Sequence, residues 1–339
     1  MPERAERIVL VLADPDDIHA DAVIAHLHEL DRKVVRIHVG DLWPRHSALT
    51  WSIDTNGMSA NLCWKGRQIA ANAVGAVFCR DFNFARCRAE ASIEDHLVHA
   101  EARAALYGFF RGMECVHWIN PPWYDEMADN KPYQYACARE LGLPVPRTLV
   151  TNRPEDLVKF HAECRGEIIV KQLSEVCLVD AESAGAEDDI RAYGFFTNVV
   201  ELRHLNNLAE IMVTPCLFQE HIRKQADIRV TVVGGEVFAA LIDSQGDERT
   251  RTDFRHNPHL PVRRFELPGD VQQKLLSLLK RWRIQFAACD FALSEQGELV
   301  FLEANVVGNW LWIEGALGMP VSKTIAKQLD AACRKRSQS

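Results

Sequence analysis

The sequence predicts a mixed α/β (α+β) protein built from more than one packed unit. Three observations carry this. Residues 7–39 run strand, helix, strand; the C-terminal half holds two antiparallel hairpins; and 339 residues suffice for two or three cores.

Taken in order, "RIVLVLAD" is a buried strand, "DDIHADAVIAHLHEL" an amphipathic helix and "KVVRIHV" a second strand. This βαβ-like opening has no GxGxxG turn, which argues against a dinucleotide site. "ALTWSIDTNGMSANLCWKG" is hairpin material turning at Asn56-Gly57, and "AVGAVFCRDF" is another strand. Residues 92–113 form a helix, Pro121-Pro122 a loop, and "NKPYQYACARELG" a helix stopped at Gly142. Pro144 and Pro146 keep "LPVPRTLVT" extended. A helix over 154–164 and the strand "GEIIVKQL" follow, then a polar stretch over 174–198. "CLFQEHI" is a strand entering a loop, and "DIRVTVVGGEVFAALID" a hairpin turning at Gly234-Gly235. "RTDFRHNPHLPVRRFEL" is irregular; "DVQQKLLSLLKRW" is a helix; two strands and a helix close the chain.

Composition excludes several classes. A net charge of −8 argues against nonspecific nucleic-acid binding, which needs a basic surface. No apolar run is long enough to span a bilayer, and the first residues lack a signal-peptide pattern, so the expected setting is cytoplasmic. The ten cysteines show no CxxC and read as buried thiols of a reduced protein.

Chemistry concentrates in the last hairpin. "IQFAACDFAL" and "LVFLEAN" flank "SEQGE", and a two-residue turn at Gln296-Gly297 would pair Glu295 with Glu298. In that register Asp290 lies opposite Glu303, and Asn305 shares their face, as would the apolar Phe286, Ala288 and Phe301. Two facing carboxylates in an apolar setting repel and are costly to desolvate. Either a divalent cation such as Mg²⁺ resolves this, or arginines do, with Arg229 and Arg255 available. A one-residue change in the turn would move Asp290 to the other face.

Other candidates are weaker alone. Lys171 closes an apolar strand, as a solvated strand end also would. Lys131 starts a helix, where a cation is disfavoured unless an anion such as phosphate neutralises it. "FQEHI" could expose a backbone donor and acceptor for adenine, or be a plain strand exit. The Gly234-Gly235 register sets Arg229 opposite Ala240, leaving room for an anion, although Asp227 and Arg229 could simply pair. "WLW" at 310–312 reads as a substrate wall or as core.

In order, "NK" at 130–131, "VKQ" at 170–172, "FQEHI", "DIRVTVVGGEVFAALID", "CDF" and "FLEAN" resemble the ATP-grasp superfamily. "WIN", "LGLPVPRTLVTN", "TDFR" and "GNWLWIEGALGMPVSKTIAKQL" are similar to its graspetide (microviridin-type) peptide macrocyclases, over nearly the whole chain. Two departures concern the substrate side. Asn305-Val306-Val307-Gly308-Asn309-Trp310 stands where that family usually has Asn-Pro and then Gly-Gln-Trp. Asp253-Phe254-Arg255 stands for Asp-Trp-Arg.

The resemblance implies an ATP-grasp fold with a Rossmann-like pre-grasp domain over 1–125, a central α+β subdomain over 126–220 and a C-terminal one over 221–339. It implies that Lys131 and Lys171 neutralise ATP phosphates. Gln219, Glu220 and Ile222 would frame adenine, with Lys224 or Asp227 near the ribose. Asp290, Glu303 and Asn305 would hold Mg²⁺, and Arg229 and Arg255 would stabilise an acyl phosphate. The implied partner is a ribosomal precursor peptide and the implied assembly a homodimer; the polar segment 174–200 with the helix after it could provide a leader-docking surface. An intermolecular ligase and a nucleotide-binding regulatory protein are the rival readings.

Overall fold

The structure is a computed structural model describing residues 7–42, 47–55, 57–84, 92–113, 116–174, 178–179, 192–193, 196–206 and 208–338. The Asn56 turn position and most of the polar segment 174–200 lie outside the described residues.

Strand β1 (Ile8–Leu12) is buried at every position, as a parallel strand covered on both faces must be. Helix α1 (Ile18–Glu29) follows; its cap Asp17 accepts from the Ala20 amide at 2.9 Å. Next come β2 (Val34–Ile37), a meander of β3 (Ser47–Asp54), β4 (Gly57–Trp64) and β5 (Arg67–Ala70), then β6 (Val74–Cys79), α2 (Ile93–Arg111) and β7 (His117–Ile119). The parallel sheet has order β2-β1-β6-β7. The meander and α2 cover one face, with Leu62, Phe109 and Phe110 buried against Leu10 and Val77.

Pro121-Pro122, expected as a loop, instead opens helix α3 (Pro122–Ala128). Proline at the first helical position has no amide hydrogen to satisfy, and its fixed φ suits a helix start. Helix α4 (Lys131–Glu140) is capped by Asn130, whose Oδ1 accepts from the Tyr133 amide at 3.0 Å.

The middle of the chain forms β8 (Thr148–Thr151), α5 (Pro154–Glu163), β9 (Ile168–Lys171), the two-residue strands β10 (Leu178–Val179) and β11 (Ala192–Tyr193), β12 (Asn198–Val199) and β13 (Cys216–Glu220). Strands β12-β9-β13-β8 make an antiparallel sheet. Leu157 and Phe160 of α5 close one face against Ile168 and Phe218.

The last unit is β14 (Lys224–Val233), β15 (Glu236–Ile242), β16 (Val262–Arg264), α6 (Gly269–Trp282), β17 (Phe286–Ser294), β18 (Leu299–Asn305), α7 (Leu311–Leu317) and α8 (Val321–Gln338). Its antiparallel sheet has order β16-β15-β14-β17-β18. Helix α6 seals one face with Leu275, Leu278 and Trp282 against Ile228, Val230 and Phe291. Helix α8 reaches back to the first sheet: Ile325, Leu329 and Cys333 pack with Val9, Leu27 and Phe78. No helix among the described residues is long and apolar enough to cross a membrane.

Candidate active site

The open part of the five-stranded sheet faces the four-stranded sheet, and the cleft between them collects the polar residues. Ile228, Val230 and Val232 turn to the core, which leaves Asp227, Arg229 and Thr231 on the cleft side. Arg229 lies opposite Ala240, the register expected from Gly234-Gly235, and opposite Asp290 on its other side.

Asp290 does pair with Glu303, and Asn305 with Ala288, but the route differs from the expected one. Near the turn Leu293 pairs with Leu299, so three residues, 295–297, connect the strands. Gly297 there has φ +83°, a conformation that favours glycine. That register continued would put Leu302 opposite Asp290 and turn Glu303 into the core. A bulge at Leu302 restores the pairing. Phe301, expected on the carboxylate face, consequently packs in the core against Phe291 at 5.5 Å.

Arg229 Nε stands 3.2 Å from Asp290 Oδ1, both side chains nearly buried. Asp227 pairs with Lys224 at 2.8 Å, so the expected Asp227–Arg229 pair does not form. Lys131 Nζ lies 3.7 Å from Glu303 Oε2. Lys171 comes from β9 across the cleft, so Glu303 has a lysine on either side; Lys131 borders a neighbouring depression that shares Glu303 as its wall. Arg255 grips Asp253 through two bonds of 2.9 and 2.6 Å, and Asp253 also accepts from the Thr197 amide.

Electrostatics separate the two carboxylates. Burial, joined by Glu303 and Asp227, pushes Asp290 up to about 7, against the pull of Arg229. Burial also opposes ionisation of Glu303, yet Lys171, Lys131, Arg255 and Arg229 hold it below the usual range. Burial, with Lys224 and Lys131 nearby, lowers Lys171, although Glu303 offsets part of this. The cleft therefore holds unmet polar groups. Gln219 Oε1 and Asp227 Oδ2 are buried without a hydrogen-bond partner among the described residues, and Arg229 Nε and Asp290 Oδ1 meet each other as an ion pair without hydrogen-bond geometry. Such a set fits an anion bearing a hard cation.

The adenine-side candidates divide. Gln219 is fully buried and donates to Thr148 Oγ1 at 3.0 Å. Glu220 borders the cleft, but its carboxylate pairs with Arg147 at 3.1 Å and its amide donates to the Arg147 carbonyl. Ile222 lines the cleft beside Lys224. Asn305 Oδ1 accepts from the Val307 amide at 2.9 Å, which fixes the side-chain amide's direction.

Three residues that sequence reasoning missed fasten the end of β18. Gln134 donates to the Ala304 carbonyl at 2.8 Å and accepts from the Ala304 amide at 2.9 Å. Asn120 donates to Val306 and Phe286 carbonyls and accepts from the Gln285 and Phe286 amides. Arg80 donates to the Val307 carbonyl. Of the two tryptophans, Trp310 is core: it is fully buried against Phe286 and donates to Ser322 Oγ. Trp312 is 36% exposed and lies 6.0 Å from Arg229 and 6.5 Å from Phe254, at the mouth of the cleft.

The family model described as the MvdD pre-ATP grasp domain matches residues 8–126. A RiPP-associated ATP-grasp ligase from Chryseobacterium gregarium, solved in complex with ADP and a leader and core peptide, superposes with a TM-score of 0.83. The two are 25% identical, over 96% of this chain and 97% of that one. The chain has an ATP-grasp fold. Its fold is shared by two macrocyclases from Microcystis aeruginosa MRC. MdnC, bound with the precursor peptide MdnA, gives a TM-score of 0.79 at 24% identity over 96% and 99% of the two chains. MdnB gives 0.77 at 25% identity over 95% and 99%. No curated protein matches this ATP-grasp chain in sequence.

Proposed function

We propose that this ATP-grasp protein is an ATP-dependent ligase that closes side-chain ester or amide rings in a ribosomal precursor peptide. The observation that carries the reading is the face formed by Arg229, Asp290 and Glu303, set across a cleft from Lys171 and Gln219. Its likeness to ATP-grasp enzymes solved with peptide and nucleotide supports it.

A carboxylate is a poor electrophile because its leaving group would be oxide. Phosphoryl transfer from ATP to a peptide Asp or Glu carboxylate makes an acyl phosphate and ADP. A Ser or Thr hydroxyl, or a Lys amine, then attacks the carbonyl carbon, loses its proton and expels phosphate. In this reading Lys171 and Lys131 neutralise the phosphates. Gln219 and Ile222 wall the base, with Glu220 at its edge, and the Lys224–Asp227 pair meets the ribose. Asp290, Glu303 and Asn305 would hold Mg²⁺, which when bound supplies positive charge against the phosphate oxygens. Arg229 and Arg255 spread the charge of the acyl phosphate, each pre-aligned by its carboxylate. The reading places the enzyme in the cytoplasm and divides the chain near residues 125 and 220.

The test is the intact mass of the peptide encoded beside this gene, after incubation with enzyme, ATP and Mg²⁺. Loss of one water per ring is expected; a mass gain would mean an intermolecular ligase, and no ADP a regulatory protein. The same reading includes a homodimer. Trp51, Ile53 and Met58 share one exposed face of the β3–β4 hairpin. Light scattering should give twice the chain mass, and Ile53→Glu should give a monomer.

A further inference from the structure

Resting on that reading, we propose that Arg80, from the N-terminal sheet, is a positioning residue for the magnesium ligand Asn305. Arg80 follows β6 and its side chain is only 8% exposed. Its guanidinium makes three hydrogen bonds to one loop. It donates to the carbonyls of Val307 and Gly308 and to Asn309 Oδ1, and its Cζ lies 5.1 Å from the centre of the Trp310 ring. On the other side Nε donates to Asp17 Oδ2 at 3.0 Å, and Asp17 is itself fixed as the cap of α1.

The loop that Arg80 holds is the one that aims Asn305. Val307 connects them through its two peptide units: its carbonyl accepts from Arg80 and its amide donates to Asn305 Oδ1. The Gly308 amide returns to the Asn305 carbonyl at 3.3 Å. A side chain at Gly308 would put its Cβ 2.5 Å from that of Ala288, the strand partner of Asn305, so the loop is folded down onto the ligand. Asn305 Oδ1 thus has one lone pair committed to Val307 and the other directed by it. Freed from Arg80, the loop and its amide lose that direction. Bracing alone does not account for this arrangement, because Gln134 already ties Ala304 by paired bonds and Asn120 already holds the Val306 carbonyl. Removing a residue that orients a metal ligand typically weakens metal binding by about 10- to 100-fold.

The test is calorimetric titration of the full-length enzyme with ADP, with Mg²⁺ and with a chelator, so no turnover is needed. Wild type should bind ADP more tightly with Mg²⁺. Arg80→Met should lose that magnesium-dependent gain by about tenfold while its affinity in chelator is unchanged. Arg80→Lys, which keeps the charge and part of the hydrogen bonding, should recover part of the gain. Equal affinity of Arg80→Met and wild type with Mg²⁺ overturns the proposal, as does an equal loss with and without Mg²⁺, the mark of a merely structural role. A wild type showing no magnesium-dependent gain sinks the metal reading itself. Should Arg80→Met fail to fold, Asp17→Asn decides: asparagine still caps α1 but no longer holds Arg80 by charge. It should lower the magnesium gain in the same direction, and an unchanged gain overturns the proposal.

Discussion

Glu303→Gln should lower ADP formation by about a thousandfold or more while leaving the fold intact. Glu303 is the carboxylate that remains ionised: Lys171 and Lys131 flank it and outweigh its burial. Glutamine keeps the shape and one acceptor oxygen but removes the charge. A metal ligand that steadies developing phosphoryl charge is worth several kcal/mol in the transition state, and about 4 kcal/mol corresponds to that factor. A purely structural Glu303, present only to neutralise two lysines, predicts the reverse pattern, with melting temperature falling and residual ADP formation near wild type. Measuring ADP release and thermal unfolding on one preparation separates the two.

Asn120→Ala should have the largest effect on stability. Asn120 is 1% exposed and meets all four of its amide hydrogen-bonding capacities with backbone groups. Alanine would leave two carbonyls and two amides buried without partners. Each unsatisfied group costs about 1–3 kcal/mol, and with partial relaxation the sum should be about 3–5 kcal/mol. That corresponds to a fall in Tm on the order of 10 °C. Asn120→Asp should be no better, because it keeps the acceptors, loses the donors and buries a charge. A change below about 1 kcal/mol in denaturant unfolding would mean that water replaces the amide.

Local patterning made most of the strands and helices legible, and hairpin arithmetic found the heart of the site. Arg229 opposite Ala240 follows directly from Gly234-Gly235. Asp290 opposite Glu303 was inferred from a turn one residue too short, and the pairing holds because the bulge at Leu302 offsets the longer loop. Bulges depend on how the whole sheet packs, so nothing in "LVFLEAN" announces one. The same limit explains the tryptophans: "WLW" has no pattern that separates buried Trp310 from Trp312 at the cleft mouth. Asn120, Gln134 and Arg80 were illegible for a plainer reason. Their partners around β17 and the end of β18 lie between 165 and 229 positions away along the chain, beyond the reach of any local period.

Fastening three neighbouring residues of one strand end has a mechanical consequence. Gln134 binds Ala304, Asn120 binds Val306 and Arg80 binds Val307, so α4, the N-terminal sheet and β18 act as one rigid jaw. Lys131, Glu303, Asp290 and Arg229 all ride on it at fixed spacing. Lys171 and Gln219 sit on the opposing sheet, the other jaw. On the proposed reading, the grip on the phosphates would then open on the Lys171 side, without disturbing the carboxylates.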